Sequence, residues 1–386
     1  MYLTKKNDYQ YLVSLDAHKR TYFAKIIDTT TEKILFNHGI IGTIDEVIEQ
    51  MVKLKLPPKQ TLVIYEAGCV GYHPYKKLVA ASYNCSIIAP SSIPQNNKLK
   101  KTDKNDCRDN LNYFRSGLLR FVTVPDDSVL SLRELNRHRA ALVDDLRKKK
   151  QQICAFVLRH GYFFDETKTE WTVKHVKWLR GLKMSNAALQ SLHDMQLKEY
   201  DSIDASIDEC EKNIQLTIEE TPGLVQTIEK LKFLPGFGDI TAQTIHSELC
   251  DLSRFKKPNQ LPQYVGLAPG MHQSGKSSPS LSITKEGNEY ARRMLISASR
   301  YYGDQRLLYS QKELDKFPKE VGAFLRKMQD RLHNRYIYLK RRGKNINKVR
   351  CAIARELVMF LWEYQNSIVS KLTIVTVRRV KDKKAA

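Results

Sequence analysis

The chain has 386 residues, which at roughly 150 residues per domain gives room for two or three domains. Hydrophobic residues make up 42% and charged residues 27%, so a sizeable core can be buried and global disorder is excluded. Lys and Arg total 64 against 42 Asp and Glu, and a formal charge of +22 calls for a polyanionic partner, nucleic acid first and an anionic membrane surface second.

Residues 9–37 read as three short strands separated by polar turns: Tyr11 to Leu15, ending in Asp16, then Tyr22 to Ile27, then Lys33 to Phe36. Ile44, Val47, Ile48, Met51 and Val52 have the spacing of an amphipathic helix, stopped by Pro57-Pro58. Thr61 to Tyr65 is a fourth strand followed by Glu66-Ala67-Gly68, a helix covers 71–81, and Cys85 to Ala89 is a fifth strand broken by Pro90. A strand meander followed by strand–helix alternation predicts an α/β domain over residues 1–125.

From Ser128 to about Glu220 strand signals vanish. Leu135, Leu142, Leu146, Ile153 and Val157 are spaced 7, 4, 7 and 4, and Tyr200, Ile203, Ile207, Cys210 and Ile214 repeat 3-4-3-4. Two long helices with coiled-coil-like stripes are predicted over 126–220, paired as an antiparallel hairpin with Trp171 and Trp178 in the connection. The stripes suit either an intramolecular bundle or pairing between subunits. Residues 221–386 form the third, mainly helical part. Leu231 to Asp239, with Pro235-Gly236-Phe237-Gly238, followed by Ile240 to Ile245, resembles a helix-hairpin-helix. Its glycines would let backbone N–H groups approach a phosphate, or would simply make a tight turn. The end is helical, basic and expected to be a loose tail.

No stretch reaches the ~20 apolar residues of a membrane span, and Met1-Tyr2-Leu3-Thr4-Lys5-Lys6 lacks the apolar run of a secretory signal. Seven scattered cysteines without a C-x-x-C pair argue against a disulfide framework or a cysteine zinc site, and fit a reducing cytoplasm.

Four acids stand out. Asp16 and Glu66 each follow an apolar strand, and Asp103 and Asp106, at i and i+3, share a face if a helix starts there with Thr102 or Asp103 as its cap. Singly each has an ordinary explanation as turn former, loop charge or cap. Together they would form a hard-oxygen site suited to Mg²⁺, with Mn²⁺ as a substitute, and to metal-assisted phosphodiester chemistry. Lys98, Lys100, Lys101, Lys104 and Arg108 flank the pair, either neutralising it or holding phosphates.

The same residues resemble a known family. Leu15-Asp16-Ala17-His18-Lys19, Tyr65-Glu66-Ala67-Gly68 with Gly71-Tyr72, Ile88-Ala89-Pro90-Ser91 with Ile93-Pro94, and Lys101-Thr102-Asp103-Lys104-Asn105-Asp106 are similar to the N-terminal domain of the insertion-sequence-110 family transposases, which include the Piv-type invertases. Leu234 to Gly238, Tyr264 to Pro269, Gln273-Ser274-Gly275-Lys276 and Ile283 to Asn288 with Arg292-Arg293 are similar to its transposase domain. The resemblance implies a RuvC-like domain on a ribonuclease H fold whose D-E-D-D set falls on Asp16, Glu66, Asp103 and Asp106. It implies a serine nucleophile at Ser274, the one serine directly before a glycine in this stretch, with Ser277, Ser278, Ser280 and Ser282 as neighbours. Lys98, Lys100, Lys101, Lys104, Lys276, Lys285, Arg292 and Arg293 are the expected nucleic-acid contacts. The implied function is Mg²⁺-dependent DNA transposition or recombination through a transient phosphoserine link, guided by a non-coding bridge RNA. The implied partners are double-stranded donor and target DNA, that RNA and further copies of the chain as a dimer or tetramer, with the carboxylates of one protomer facing the serine of another. No membrane partner is expected, and the location is the bacterial or archaeal cytoplasm, at the nucleoid. An RNA-independent invertase, a Holliday-junction nuclease that ignores Ser274, and a non-catalytic nucleic-acid scaffold stay open.

Overall fold

A computed structural model describes residues 9–94, 102–166, 169–271 and 280–372. It divides into two compact units, Met1–Val124 and Pro125–Ala386.

The first unit is a mixed α/β layer. Its strands are β1 (Tyr11–Ala17), β2 (Thr21–Asp28), β3 (Ile34–Ile41), β4 (Thr61–Glu66), β5 (Asn84–Ile88) and β6 (Phe121–Val122), and its helices are α1 (Ile44–Lys53), α2 (His73–Ala80) and α3 (Asp103–Arg115). The sheet order is β3-β2-β1-β4-β5-β6. β1, β2 and β3 form an antiparallel meander, β1, β4 and β5 run parallel, and β6 returns antiparallel. Parallel neighbours need a crossover, and α1 and α2 supply the two. The strands and helices expected from the sequence are present; β6 was not expected.

Alternation along β1 divides its side chains between two cores. Val13 and Leu15 pack with Ile44, Val47 and Met51 of α1. Leu12 packs with Leu62, Ile64, Leu111 and Phe114, the last two from α3. The sheet is therefore covered on both faces, which is why β1 and β4 read as nearly continuous apolar runs. Thr43 begins α1 with a full capping box, its side chain and Glu46 satisfying each other's backbone N–H groups.

The second unit is mostly helical: α4 (Asp127–Arg159), α5 (Val173–Gly181), α6 (Ala187–Glu220), α7 (Leu224–Leu231), α8 (Asp239–Leu249), α9 (Gln260–Tyr264), α10 (Glu289–Ala298), α11 (Gln311–Leu314), α12 (Lys319–Arg341) and α13 (Ile346–Glu363). One two-stranded sheet, β7 (Pro269–Met271) and β8 (Ser280–Ile283), interrupts it. The two predicted stripes bury each other within one chain. Leu146, Ile153 and Val157 of α4 share a cluster with Leu197, Tyr200 and Ile207 of α6. A second cluster joins Cys210, Ile214 and Ile218 to α7, α8, α10, α12 and α13. Trp171 and Trp178 lie in the connection, with His175 stacked on Trp178 at 5.6 Å. Among the described residues no helix is long and apolar enough to cross a membrane, and all seven cysteines are free. The basic tail beyond Leu372 lies outside the described residues.

Burial also sets a pH dependence. His246, in the last turn of α8, is enclosed, and its Nδ1 has no hydrogen-bond partner among the described residues. Loss of hydration lowers its pKa below the usual histidine range. The unfolded chain, with a histidine pKa of ~6.5, then binds the proton more tightly than the fold does. The stability that His246 contributes is present above that value and is lost as pH falls through it toward the lower folded value. Thermal unfolding should show a midpoint that falls between about pH 7 and pH 5, with a shallower fall in His246→Leu. An unchanged slope in that variant would assign the titration to another group.

Candidate metal centre and nucleic-acid site

Asp16 ends the one strand face that α3 covers. Leu12, Ser14 and Asp16 alternate onto that face, and α3 runs above them. Leu111 and Phe114 meet Leu12, Cys107 is fully buried further along, and Asp103 stands one turn before Cys107. The Cys107 thiol donates to the Phe23 carbonyl at 3.4 Å, and its pKa is pushed up to about 12 by burial, with Asp16 and Asp103 adding to the shift. A thiol held in its neutral form is inert packing, and it pins the first turn of α3 over the end of β1.

Thr102 caps α3 through its side chain, which accepts from Asn105 N at 3.4 Å. Asp103 and Asp106 occupy the first turn, where the helix dipole favours negative charge. The local sequence thus stabilises two acids where the sheet presents a third. Asp16, His18 and Asp103 converge, with one ligand atom from each lying within 4.8 Å of the others. His18 Nε2 is 3.7 Å from Asp16 Oδ1 and 3.8 Å from Asp103 Oδ2. Asp16 is 26% exposed and Asp103 55%, so an ion or a phosphate has direct access.

Glu66 is the last residue of β4. Leu15 pairs with Tyr65 in the parallel register, so Asp16 and Glu66 are the next residues on adjacent strands. Leu62 and Ile64 pack in the α3-side core, which puts Glu66 on the same face as Asp16. Both acids therefore stand at the carboxyl ends of central parallel strands, the edge at which α/β sheets bind ligands. Glu66 and Asp106 lie outside the close cluster of Asp16, His18 and Asp103.

The basic residues divide. Lys98, Lys100 and Lys101 lie outside the described residues; Lys104 is exposed on the first turn of α3. Arg108 pairs with Asp109 at 3.3 Å. Lys25 on β2, not singled out in the sequence, joins them. Partial burial lowers its pKa, and the positive charges of Arg108 and Lys104 lower it further. A cationic strip of Lys25, Lys104 and Arg108 thus borders the acids, a placement suited to a phosphate backbone.

In the second unit the sequence motifs meet around one hairpin. Ser274 and Lys276 fall between β7 and β8, outside the described residues, as do Ser277 and Ser278; Ser280 and Ser282 belong to β8. The base of the hairpin is clasped by backbone bonds: Thr284 N to Ala268 O at 2.9 Å, Lys285 N to Gly266 O at 3.1 Å, and Asn288 N to Tyr264 O at 3.1 Å. Gly266 and Gly287 have φ of +69° and +115°. A Cβ on Gly287 would stand 2.2 Å from the Tyr264 carbonyl oxygen, so only glycine lets these two segments touch. Arg292 donates from Nη1 to Val265 O at 3.0 Å, bracing the same clasp. Arg293 pairs with Asp144 of α4 at 3.2 Å, and Lys285 is exposed with φ +60°.

The Pro235-Gly236-Phe237-Gly238 turn uses its two glycines differently. Gly236, at φ +87°, lies against α10, where a Cβ would come 2.7 Å from the Ala298 carbonyl. Gly238 is the N-cap of α8 and has open space around it. The first is a packing glycine, a role the sequence alone did not distinguish from phosphate approach.

A buried ion network ties the clasp to the long helix. The Glu248 side chain on α8 is fully buried. It accepts from Arg137 Nε at 2.7 Å and Nη2 at 2.9 Å, and from Asn288 Nδ2 at 2.7 Å. Asn288 also caps α10 by accepting from Ala291 N. Removing Glu248 would leave the donors of Arg137 on α4 and of Asn288 at the start of α10 without their carboxylate, which costs about 3 kcal/mol, the low end for a broken buried pair because Arg137 keeps some water. Glu248→Ala should therefore lower the unfolding midpoint by roughly 6–12 °C in a thermal melt. A shift below about 2 °C would show that the network contributes little.

A family model described as "Transposase IS116/IS110/IS902 family" matches residues 228–302, and a DEDD-type model described as "Transposase" matches residues 13–162. The chain is 33% identical over 307 residues to a putative transposase, y4qE, of Sinorhizobium fredii, covering 77% of this chain and 73% of the relative. It is 30% identical over 248 residues to the transposase for insertion sequence element IS1533 of Leptospira borgpetersenii, covering 63% and 70%. It is 23% identical over 312 residues to the transposase for insertion sequence element IS1111A of Coxiella burnetii, covering 78% and 76%.

Proposed function

Because the chain belongs to the IS116/IS110/IS902 family of insertion-sequence transposases, we propose that it is an RNA-guided DNA recombinase with a metal-dependent acidic centre and a serine nucleophile. Membership carries DNA binding and a role in DNA cleavage and rejoining. The observation that carries the finer reading is the convergence of Asp16 and Asp103, with His18, at the sheet edge inside the span matched by the DEDD-type model.

The donor set fits a divalent cation, since exposed carboxylate oxygens are the ligands that Mg²⁺ prefers, and an imidazole admits Mn²⁺ as well. Asp16 and Asp103, with His18 beside them, would hold the ion, and Glu66 at the adjacent strand end and Asp106 in the same helical turn would complete the acidic set. A bound divalent ion supplies charge neutralisation and Lewis acidity at a phosphodiester. The protein's own groups do the rest. Lys25, Lys104 and Arg108 hold the flanking phosphates. Ser274 Oγ attacks the scissile phosphorus, a phosphoserine bond forms, and the displaced sugar oxygen leaves as a hydroxyl. Attack on that link by the hydroxyl of another strand frees Ser274 and rejoins the DNA. Bond energy is retained at each exchange, so no nucleotide triphosphate is consumed.

The sheet order β3-β2-β1-β4-β5 supports reading residues 1–125 as a RuvC-like domain on a ribonuclease H fold. Mutual burial of the α4 and α6 stripes supports a coiled-coil-like segment over 126–220, and α7 with α8 supports a helix-hairpin-helix at the start of the 221–386 transposase domain.

The test is reconstitution. Purified protein should retain a structured RNA encoded beside its gene, and recombination between donor and target DNA should require it. Binding should weaken steeply with salt, since each neutralised phosphate releases counterions. Efficient recombination after RNase treatment would favour an RNA-independent invertase.

A further inference from the structure

We propose that the cleft between α4, α8 and α10 is a pocket for one unstacked nucleobase, so that single-stranded segments of the bound nucleic acid are gripped by a base as well as by phosphates. This deepens the nucleic-acid reading above and rests on it. The cleft encloses about 130 Å³. An apolar protein cavity of ~150 Å³ accepts one benzene ring, so the space suits a single aromatic ring and no more.

Its walls are apolar on three helices: Ala140 and Val143, Ile240, and Met294. Val143 and Ile240 remain 36% and 40% exposed, an apolar surface left open to water. Tyr290 adds a ring whose face is charged by the Arg137 guanidinium, 5.1 Å from its centroid. The floor is polar. Asn136 and Thr244 line it while only 5% and 6% exposed. Thr244 Oγ1 donates to Asn136 Oδ1 at 3.4 Å, and Asn136 Nδ2 donates to Leu132 O at 2.9 Å. Beyond these bonds each oxygen keeps accepting capacity, which the amino or imino edge of a base could use. Arg139 and Arg293 stand on the rim, each paired with one acid, Glu211 and Asp144. An aromatic ring, a hydrogen-bonding edge and an anionic tether together describe a nucleotide.

The experiment uses the full chain, a short single strand carrying 5-iodouracil at alternate positions, and a duplex of the same length. Irradiation should crosslink the strand to the peptides containing Tyr290 or Met294. Ala140→Trp fills the cleft, and Tyr290→Leu keeps an apolar wall but removes the ring. Each should weaken single-strand binding roughly tenfold, the scale of one stacked base, with duplex affinity unchanged. Crosslinks confined to other peptides would overturn the proposal. So would equal losses for strand and duplex, or a changed oligomeric state with single-strand affinity intact, which would mark the cleft as a contact between copies. A wild-type chain that binds neither strand nor duplex would overturn the nucleic-acid reading itself.

Discussion

Exchange of Asp16 or Asp103 for alanine is expected to reduce Mg²⁺-dependent DNA strand cleavage by on the order of 10²–10³-fold or more, with nucleic-acid affinity close to wild type. The reason is geometric. One oxygen from each carboxylate lies within 4.8 Å of the other and of an imidazole nitrogen, on a rim open to solvent. Like charges at that spacing repel, and a divalent cation relieves the repulsion. Neither acid supports the core: Asp16 follows the last buried residue of its strand, and Asp103 stands in an exposed first turn. Loss of either should leave the fold and the cationic strip of Lys25, Lys104 and Arg108 in place. Metal binding can be read without activity. Added Mg²⁺ or Mn²⁺ should raise the melting midpoint of the wild type, by mass action on the folded state, and Asp16→Asn should abolish that rise. His18→Asn should weaken the Mn²⁺ response more than the Mg²⁺ response, because imidazole is the softer ligand. Cleavage by wild type in excess EDTA, or full cleavage by Asp16→Ala, would refute the metal assignment.

How much of this was legible in the sequence depended on where each signal resides. Short apolar runs bounded by polar turns located the first five strands, because β1 and β4 are buried on both faces and β-branched residues mark them. The start of α3 was legible, with its cap narrowed to Thr102 or Asp103, because a cap acts over three residues; the structure makes it Thr102. The stripes of α4 and α6 were legible because 3.5-residue spacing survives over many turns. β6 was not, since two residues carry no period and Phe121–Val122 is a strand only through its bonds to Ile87 and Ile88. The β7–β8 hairpin was hidden by Ser, Gly and Pro, which read as loop. The metal candidates divided in the same way. Asp16 and Glu66 announced themselves at strand ends, while His18 sat in the motif with nothing local to mark it. Its place in the cluster depends on α3 arriving from 85 residues away to set Asp103 beside it. Glu248 was hidden most thoroughly. A glutamate on a helix ordinarily faces water, and only Arg137, 111 residues earlier, and Asn288, 40 residues later, make its burial tolerable.

Trapped reactions of the wild type should contain protein joined covalently to DNA, and Ser274→Ala should contain none. The substitution removes one oxygen from a residue between two strands, so folding should be unaffected and any loss is chemical. A serine hydroxyl is a weak nucleophile unless a base or a metal activates it. Burial holds the Cys107 thiol in its neutral form, and no other serine in this stretch directly precedes a glycine. Support for Ser274 comes from the hairpin base, where Gly266 and Gly287 allow the strands leading to and from the loop to be clasped at Tyr264. Gly287→Ala is therefore an informative companion. It leaves the hydroxyl in place but forces a Cβ onto a carbonyl oxygen, a backbone strain of roughly 1–3 kcal/mol, and should slow adduct formation without abolishing it. An adduct that persists in Ser274→Ala and disappears in Ser277→Ala or Ser278→Ala would move the nucleophile along the loop. Cleavage that proceeds in every variant with no adduct at all would leave the acidic centre to act alone, with water as the nucleophile, and would identify the chain as a hydrolytic nuclease.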